Sequence, residues 1–146
     1  MSTITRYQTT NVKSEISSFR DLIAWQKGMD LICDVYKMTL QQPDHEKFGL
    51  ISQMRRAAVS ISSNIAEGWG RDSTQEYIRF LNIARASACE ISTQAEVCKR
   101  LEYSGNWSEI IEQSEEVGRI INGLIKSLRK YITKAKTSNN TIKQNS

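Results

Sequence analysis

One proline, Pro43, and seven glycines that fall mostly between segments leave this 146-residue chain with long stretches that nothing interrupts. Proline and glycine are the strongest local breakers of regular structure, so this punctuation predicts long helices and an all-α fold. The hydrophobic spacing agrees. Tyr77, Leu81, Ala84, Ala88, Ile91, Ala95 and Cys98 alternate steps of four and three through three heptads. Trp107, Ile110, Ser114, Val117, Ile121, Leu124, Leu128 and Tyr131 repeat the alternation, which is the period of a helix with one buried seam.

Local signals divide the stretches into helices of about 19–42, 46–67, 74–103 and 107–133. The first opens at Ser18, where S-F-R-D sets an acid to answer the cap, and stops before Pro43. Its stripe reads Phe19, Leu22, Met29, Cys33, Tyr36 and Leu40. The second carries Leu50, Met54, Ala57, Ile61 and Ile65 on one face and ends near Glu67, since Gly68 can take the left-handed conformation. Ser73 and Glu76 cap the third, Gly105 closes it, and N-W-S-E at 106–109 opens the fourth. Four amphipathic rods on short links predict an antiparallel up-down-up-down four-helix bundle over 18–133. Residues 1–17 and the basic tail 134–146, polar and rich in Ser, Thr and Asn, read as disordered. The repeated caps argue against one long coiled coil, and a globin-like array is the remaining alternative.

The totals bound the function. With 39% hydrophobic and 25% charged residues the chain fits one ordinary globular domain. No apolar run approaches the roughly 20 residues needed to span a bilayer, and the N-terminus lacks a signal-peptide core, so a cytoplasmic protein is expected. Cys33, Cys89 and Cys98 form no CxxC, and the single histidine, His45, has no second imidazole with which to build a metal site. Charge is polarised. Residues 1–116 carry 13 Lys/Arg against 16 Asp/Glu, whereas 117–146 carry seven Lys/Arg and no acid.

Gln53 to Arg71 reads QMRRAAVSISSNIAEGWGR, too short-chained to fill an ordinary core. Ala57, Ala58, Ser60, Ser62, Ser63 and Ala66 on helix two face Ala84, Ala86, Ser87, Ala88, Ser92 and Ala95 on helix three, which lets two axes approach closely. The polar members Asn64 and Glu67, with Gly68, Gly70 and Arg71, read as a lock on the corner between these helices. Glu67 in a last turn opposes the helix dipole and calls for a cation, for which Arg71 is the nearest choice. The same corner also reads as a contact site.

FRDLIAWQKGMDL, then FGLISQMRRAAVSISSNIAEGWGR, then EYIRFLNIARASACEISTQ resemble the bacterial four-helix-bundle proteins encoded by intervening sequences within 23S (large-subunit) rRNA genes. The S-N-I-A-E-G-x-G-R string carries most of the likeness, which runs from Phe19 to Tyr131. The resemblance implies a four-helix bundle assembling as a homopentamer, with no settled molecular role. It extends more distantly to the accessory variability determinant of diversity-generating retroelements, a basic pentameric barrel that binds nucleic acid and a reverse transcriptase.

Three functions compete. The first is RNA or DNA binding by basic surfaces. Arg119, Lys126, Lys130 and Lys134 share a stripe facing away from the Val117–Leu124–Leu128 seam, and Arg129 flanks it. Such a stripe supports salt-sensitive, sequence-tolerant binding, although last-turn lysines also simply oppose the helix dipole. Arg55, Arg56, Arg71 and Arg79 suggest a second patch, interspersed with Glu67, Asp72 and Glu76. The alternative is a structural or protein-interaction scaffold, an accessory subunit of a reverse transcriptase being one form of it. Trp25, Ile32, Val35, Phe80, Ile83, Val97 and Leu101 widen the apolar faces beyond one stripe, and self-association is the plain reading of such surplus. Catalysis is the third and has little support. No Glu-x-x-His pair, phosphate loop or imidazole-activated cysteine is present, so neither a cofactor nor a small-molecule substrate is expected.

Overall fold

The computed structural model describes residues 16–144. Four α-helices account for most of them: α1 Ile23–Thr39, α2 Leu50–Trp69, α3 Thr74–Arg100 and α4 Trp107–Gln144. Single 3-10 turns at Phe19–Asp21 and Asp44–Glu46 precede α1 and α2. Consecutive helices pack side by side and α4 closes back on α1, more loosely than the other pairs meet. Bonds across the seams fix the antiparallel register. Ser60 Oγ accepts from Ser87 Oγ at 2.9 Å between α2 and α3, Arg85 donates to Asn122 at 3.0 Å between α3 and α4, and Gln113 donates to Asp34 at 3.0 Å between α4 and α1. The expected all-α four-helix bundle is the fold; no strand occurs among the described residues.

The core runs along the bundle axis as Leu31, Val35, Met54, Ile61, Ile65, Leu81, Ile91, Ile110, Ile121, Ile125 and Leu128. Small residues set its width. Ala58, Ala84 and Ala95 are fully buried, and a Cβ placed on Gly28 would collide with Ser62, so α1 and α2 cross at close range there.

Several expected boundaries move. The Ser18 signal is real, with the Asp21 carboxylate accepting from the Ser18 N–H at 3.1 Å and the Ser18 hydroxyl from the Arg20 N–H at 3.2 Å. It caps only a 3-10 turn, because Leu22 is extended (ψ 126) and the α-helix starts afresh at Ile23. The stripe counted through that break is therefore out of phase. Ala24, Gly28, Leu31, Val35 and Thr39 face inward, while Met29, Cys33, Tyr36 and Leu40 are exposed.

Gly68 does not end α2; the helix continues through it to Trp69. The left-handed residues among those described are Glu102 (φ 58) and Gly105 (φ 130), beyond the end of α3. The expected N-terminal disordered segment 1–17 lies outside the described residues except for Ile16, which packs on the core, and Ser17. Of the tail from 134 to 146 that the sequence reads as disordered, the part to Gln144 continues α4, and residues 145–146 lie outside the described residues. No proline or glycine follows Gly123, and once a helix exists each further residue adds a bond without a new nucleation cost.

Candidate nucleic-acid interface

Helix α4 presents its cations as the spacing predicts. Arg119, Lys126, Arg129, Lys130 and Lys134 are all exposed, with Val117, Ile121, Ile125 and Leu128 buried on the opposite side. The helix enters this stretch with its polar ends satisfied. Asn106 accepts from the Glu109 N–H at 3.2 Å, and the Trp107 indole donates to the Tyr103 carbonyl at 3.0 Å.

Arg119 does not stand alone. It sits on the rim of an open groove of about 740 Å³ between α3 and α4, lined by Ala88, Ser92, Ser114 and Gly118 and shared with Arg85 and Asn122. A Cβ on Gly118 would meet nothing within 4 Å, so the residue leaves the groove wide rather than relieving a clash inside the bundle. Arg85 is the functional candidate that reading the sequence misses. Nothing in its local spacing distinguishes it, and only the bond to Asn122 across the seam aims it at the groove.

The second expected patch is not assembled. Arg55 is drawn into the α1–α2 junction, its Nε donating to Thr39 Oγ1 at 2.9 Å and its guanidinium lying 4.7 Å over the Tyr36 ring. Arg56 is exposed on the outer side of α2. Arg71 and Arg79 meet on one ring, at 4.7 and 4.6 Å from the Phe80 centroid, and Arg79 is also paired with Glu76 at 3.0 Å.

The corner is locked, by other means than expected. Asn64 donates to the Ser60 carbonyl at 2.7 Å and to Ser60 Oγ at 2.9 Å, which extends through the Ser60–Ser87 bond into α3. Glu67 is exposed and makes no hydrogen bond or ion pair among the described residues; Arg71 has gone to Phe80 instead. Gly68 supplies the tight contact, since a Cβ there would stand 2.9 Å from Phe80 and from the Tyr77 ring. Trp69 then packs edge-on to Tyr77 with centroids 6.4 Å apart, and Gly70 donates back to the Ala66 carbonyl at 3.3 Å.

Outside these regions the chemistry is sparse. Burial pushes the Cys98 thiol up to about 11, with the nearby Glu46 carboxylate adding to the effect. Such a thiol stays protonated at neutral pH and is a poor nucleophile. Tyr103 is raised as well, by desolvation first and then by its 3.1 Å bond to Glu46. Among the described residues no group of three His, Cys, Asp or Glu is placed to hold a metal, and no helix is long and apolar enough to cross a membrane.

A four-helix bundle with a tightly packed S-N-I-A-E-G-W-G-R corner defines the class of protein. The chain belongs to the 23S rRNA-intervening sequence protein family, whose model matches residues 20–123. It is similar to the crystal structure of a protein of unknown function from the S23 ribosomal protein family of Bacteroides thetaiotaomicron VPI-5482. The two are 25% identical with a TM-score of 0.65, over 71% of this chain and 96% of that one. No curated protein matches the chain.

Proposed function

We propose that this chain is a non-enzymatic, self-associating bundle that binds nucleic acid through the basic face of α4. The observation that carries the reading is charge segregation on one exposed helix: past Glu116 the chain has seven Lys/Arg and no acid. Five of those cations, Arg119, Lys126, Arg129, Lys130 and Lys134, are exposed on α4 away from the core. A polyanion whose counterions are released on contact is the partner that such a surface favours. The Arg85 and Arg119 rim of the α3–α4 groove extends the same surface.

Self-association rests on the exposed apolar residues. Met29 and Tyr36 on α1 with Leu40 just past its end, and Ile83 and Val97 on α3 with Leu101 just past its end, are between 36% and 77% exposed, more than a monomeric bundle of this size needs. A ring of identical subunits would cover these strips and repeat the α4 face around its axis; five is the number implied by the resemblance, and the cytoplasm the expected compartment. The test is binding of the purified chain to labelled RNA and DNA with increasing salt, beside a Lys126→Glu, Arg129→Glu, Lys130→Glu variant. Salt-sensitive binding that the variant loses supports the reading. Equal binding by both proteins, or none at low salt, overturns it and leaves the scaffold, with a protein partner such as a reverse transcriptase, as the better account.

A further inference from the structure

The groove between α3 and α4 changes charge along its length. Arg85 bonds to Asn122 across it, so these two residues stand level, and because the helices are antiparallel Thr93 and Glu115 mark the other end. Thr93 is eight residues from Arg85 and Glu115 seven from Asn122, which at the helical rise is about 10–12 Å. Along that line Arg85 comes first, Arg119 next and Glu115 last. Beyond the Arg85 end α4 continues the cations at Lys126 and Lys130, both exposed.

The floor is low and largely apolar. Ala88 and Ser114 lie at its base at 1% exposure, flanked by half-buried Ser92 and Gly118. Ser114 donates to the Ile111 carbonyl at 2.8 Å and Thr93 to the Cys89 carbonyl at 3.0 Å, so both hydroxyl protons are used within their own helices. A Cβ on Gly118 would meet nothing within 4 Å, and Cys89 stands exposed on the opposite wall. The only strong polar groups directed at this space are the arginines, Asn122 and Glu115, arranged by sign from one end to the other.

We infer that this groove holds one unpaired nucleotide of a single-stranded nucleic acid, with its phosphate between Arg85 and Arg119 and its base over the Ala88–Gly118 floor toward Glu115. The inference rests on the nucleic-acid reading above and names the strandedness of the partner. Size and charge select the occupant. A volume of about 740 Å³ is that of a small-molecule site, enough for one nucleotide and not for a length of strand. Unpaired bases are recognised by splaying them out onto flat aromatic or guanidinium surfaces, and the bond to Asn122 holds the Arg85 guanidinium as such a plane. Glu115 fixes the direction, since a carboxylate repels phosphate and accepts from the N–H groups of a base. Duplexes are disfavoured, because a paired base reaches the groove only after unstacking at a cost of a few kcal/mol. An acidic peptide would satisfy the arginines and leave the apolar floor uncovered. The strand that supplies the nucleotide continues along α4, where Lys126 and Lys130 meet its neighbouring phosphates.

The experiment is fluorescence anisotropy of the full chain with unstructured single-stranded RNA and DNA and with the corresponding duplexes. Single strands should bind about tenfold or more tighter than duplexes. Gly118→Leu fills the groove without touching the bundle and should weaken single-strand binding by about tenfold, leave duplex binding as it is, and keep or raise the circular dichroism melting midpoint. Arg119→Gln should lower the slope of log affinity against log salt by about 0.7, one single-strand phosphate contact being lost. Occupancy is read separately by alkylation and mass spectrometry: a saturating single strand should protect Cys89, in the groove, and leave Cys33, on α1, reactive. Duplex binding as tight as single-strand binding, full binding by Gly118→Leu, or an unprotected Cys89 overturns the inference. If any of these occurs while the Lys126, Arg129, Lys130 variant still loses salt-sensitive binding, the basic-face reading survives and the groove assignment falls. Protection of Cys89 by poly-glutamate and not by an oligonucleotide makes the occupant an acidic peptide and also overturns it. If the chain binds none of the nucleic-acid probes, both readings fall.

Discussion

At the scale of single residues, close approach governs this protein more than side-chain bulk. Gly68 packs under Phe80 and Tyr77 with no space for a Cβ, in a corner whose parts are otherwise well bonded. Gly68→Ala should therefore destabilise by about 1–3 kcal/mol, the usual cost of overpacking, read as a lower midpoint in urea with an unchanged m-value. Glu67 is the opposite case. It carries a lone carboxylate in the last turn of α2, so Glu67→Gln should leave stability the same or raise it by about 0.5 kcal/mol. A loss of more than that would restore the ion-paired corner that the sequence suggests.

The cysteines give a third residue-scale outcome. Cys33 and Cys89 are exposed and Cys98 is buried, so a thiol reagent at pH 8 should modify two sulfurs in the native protein and the third only after unfolding. Cys98 also makes stability depend on pH in a definite direction. Its folded value is about 11 against an ordinary 9.0. Between those values the unfolded state loses a proton that the native state keeps, so the contribution is constant below pH 9 and falls as pH rises toward 11. A Cys98→Ala variant should show a flatter decline across that window.

Among the elements, α4 is two things joined end to end. From Trp107 to Leu128 it is a bundle helix with its seam buried, and from Thr133 to Gln144 every residue of it is exposed. Helical stability in proteins comes mainly from packing, and Thr, Ser and Asn are weak helix formers. Amides from 137 to 144 should exchange within the fast class while those of Ile121 and Ile125 approach the global limit. Removing residues 134–146 should leave the thermal midpoint essentially unchanged. Helix α1 is also divided, at its start, where the cap at Ser18 serves a 3-10 turn and Leu22 breaks the phase. The sequence shows the cap and not the break, where Leu22 is extended and sits in the core at 5% exposure.

At the scale of the whole molecule, the seams differ in character. Packing is dense between α2 and α3 and between α3 and α4, and sparser between α1 and α4. There Lys27, Asp30, Asp34, Lys37, Gln113 and Glu116 line an open polar groove of about 350 Å³. The apolar strips lie on the other side of α1 and along α3, where Tyr36 borders Arg55 of α2 and Ser87 meets Ser60. Tyr36→Asp with Leu40→Asp should reduce the assembled mass in light scattering while leaving helicity intact, since both residues are outside the core. A wild-type chain that is already monomeric at working concentration would remove the basis for the ring.

Helix count, the order of the rods and the caps at Ser73 and Asn106 are written in the chain itself, because periodicity and capping are local and each needs only a few neighbouring residues. So is the basic character of α4, since charge belongs to composition. What tertiary structure alone decided is which side of each rod turns inward, where Arg71 goes and what stands beside Arg119. On α1 Gly28 turns inward and meets Ser62, the corner cation lies on Phe80 and not beside Glu67, and Arg85 joined the groove through Asn122. Each is a contact between residues far apart in the chain, chosen by the fit of whole helices, and no window of neighbouring residues contains that fit.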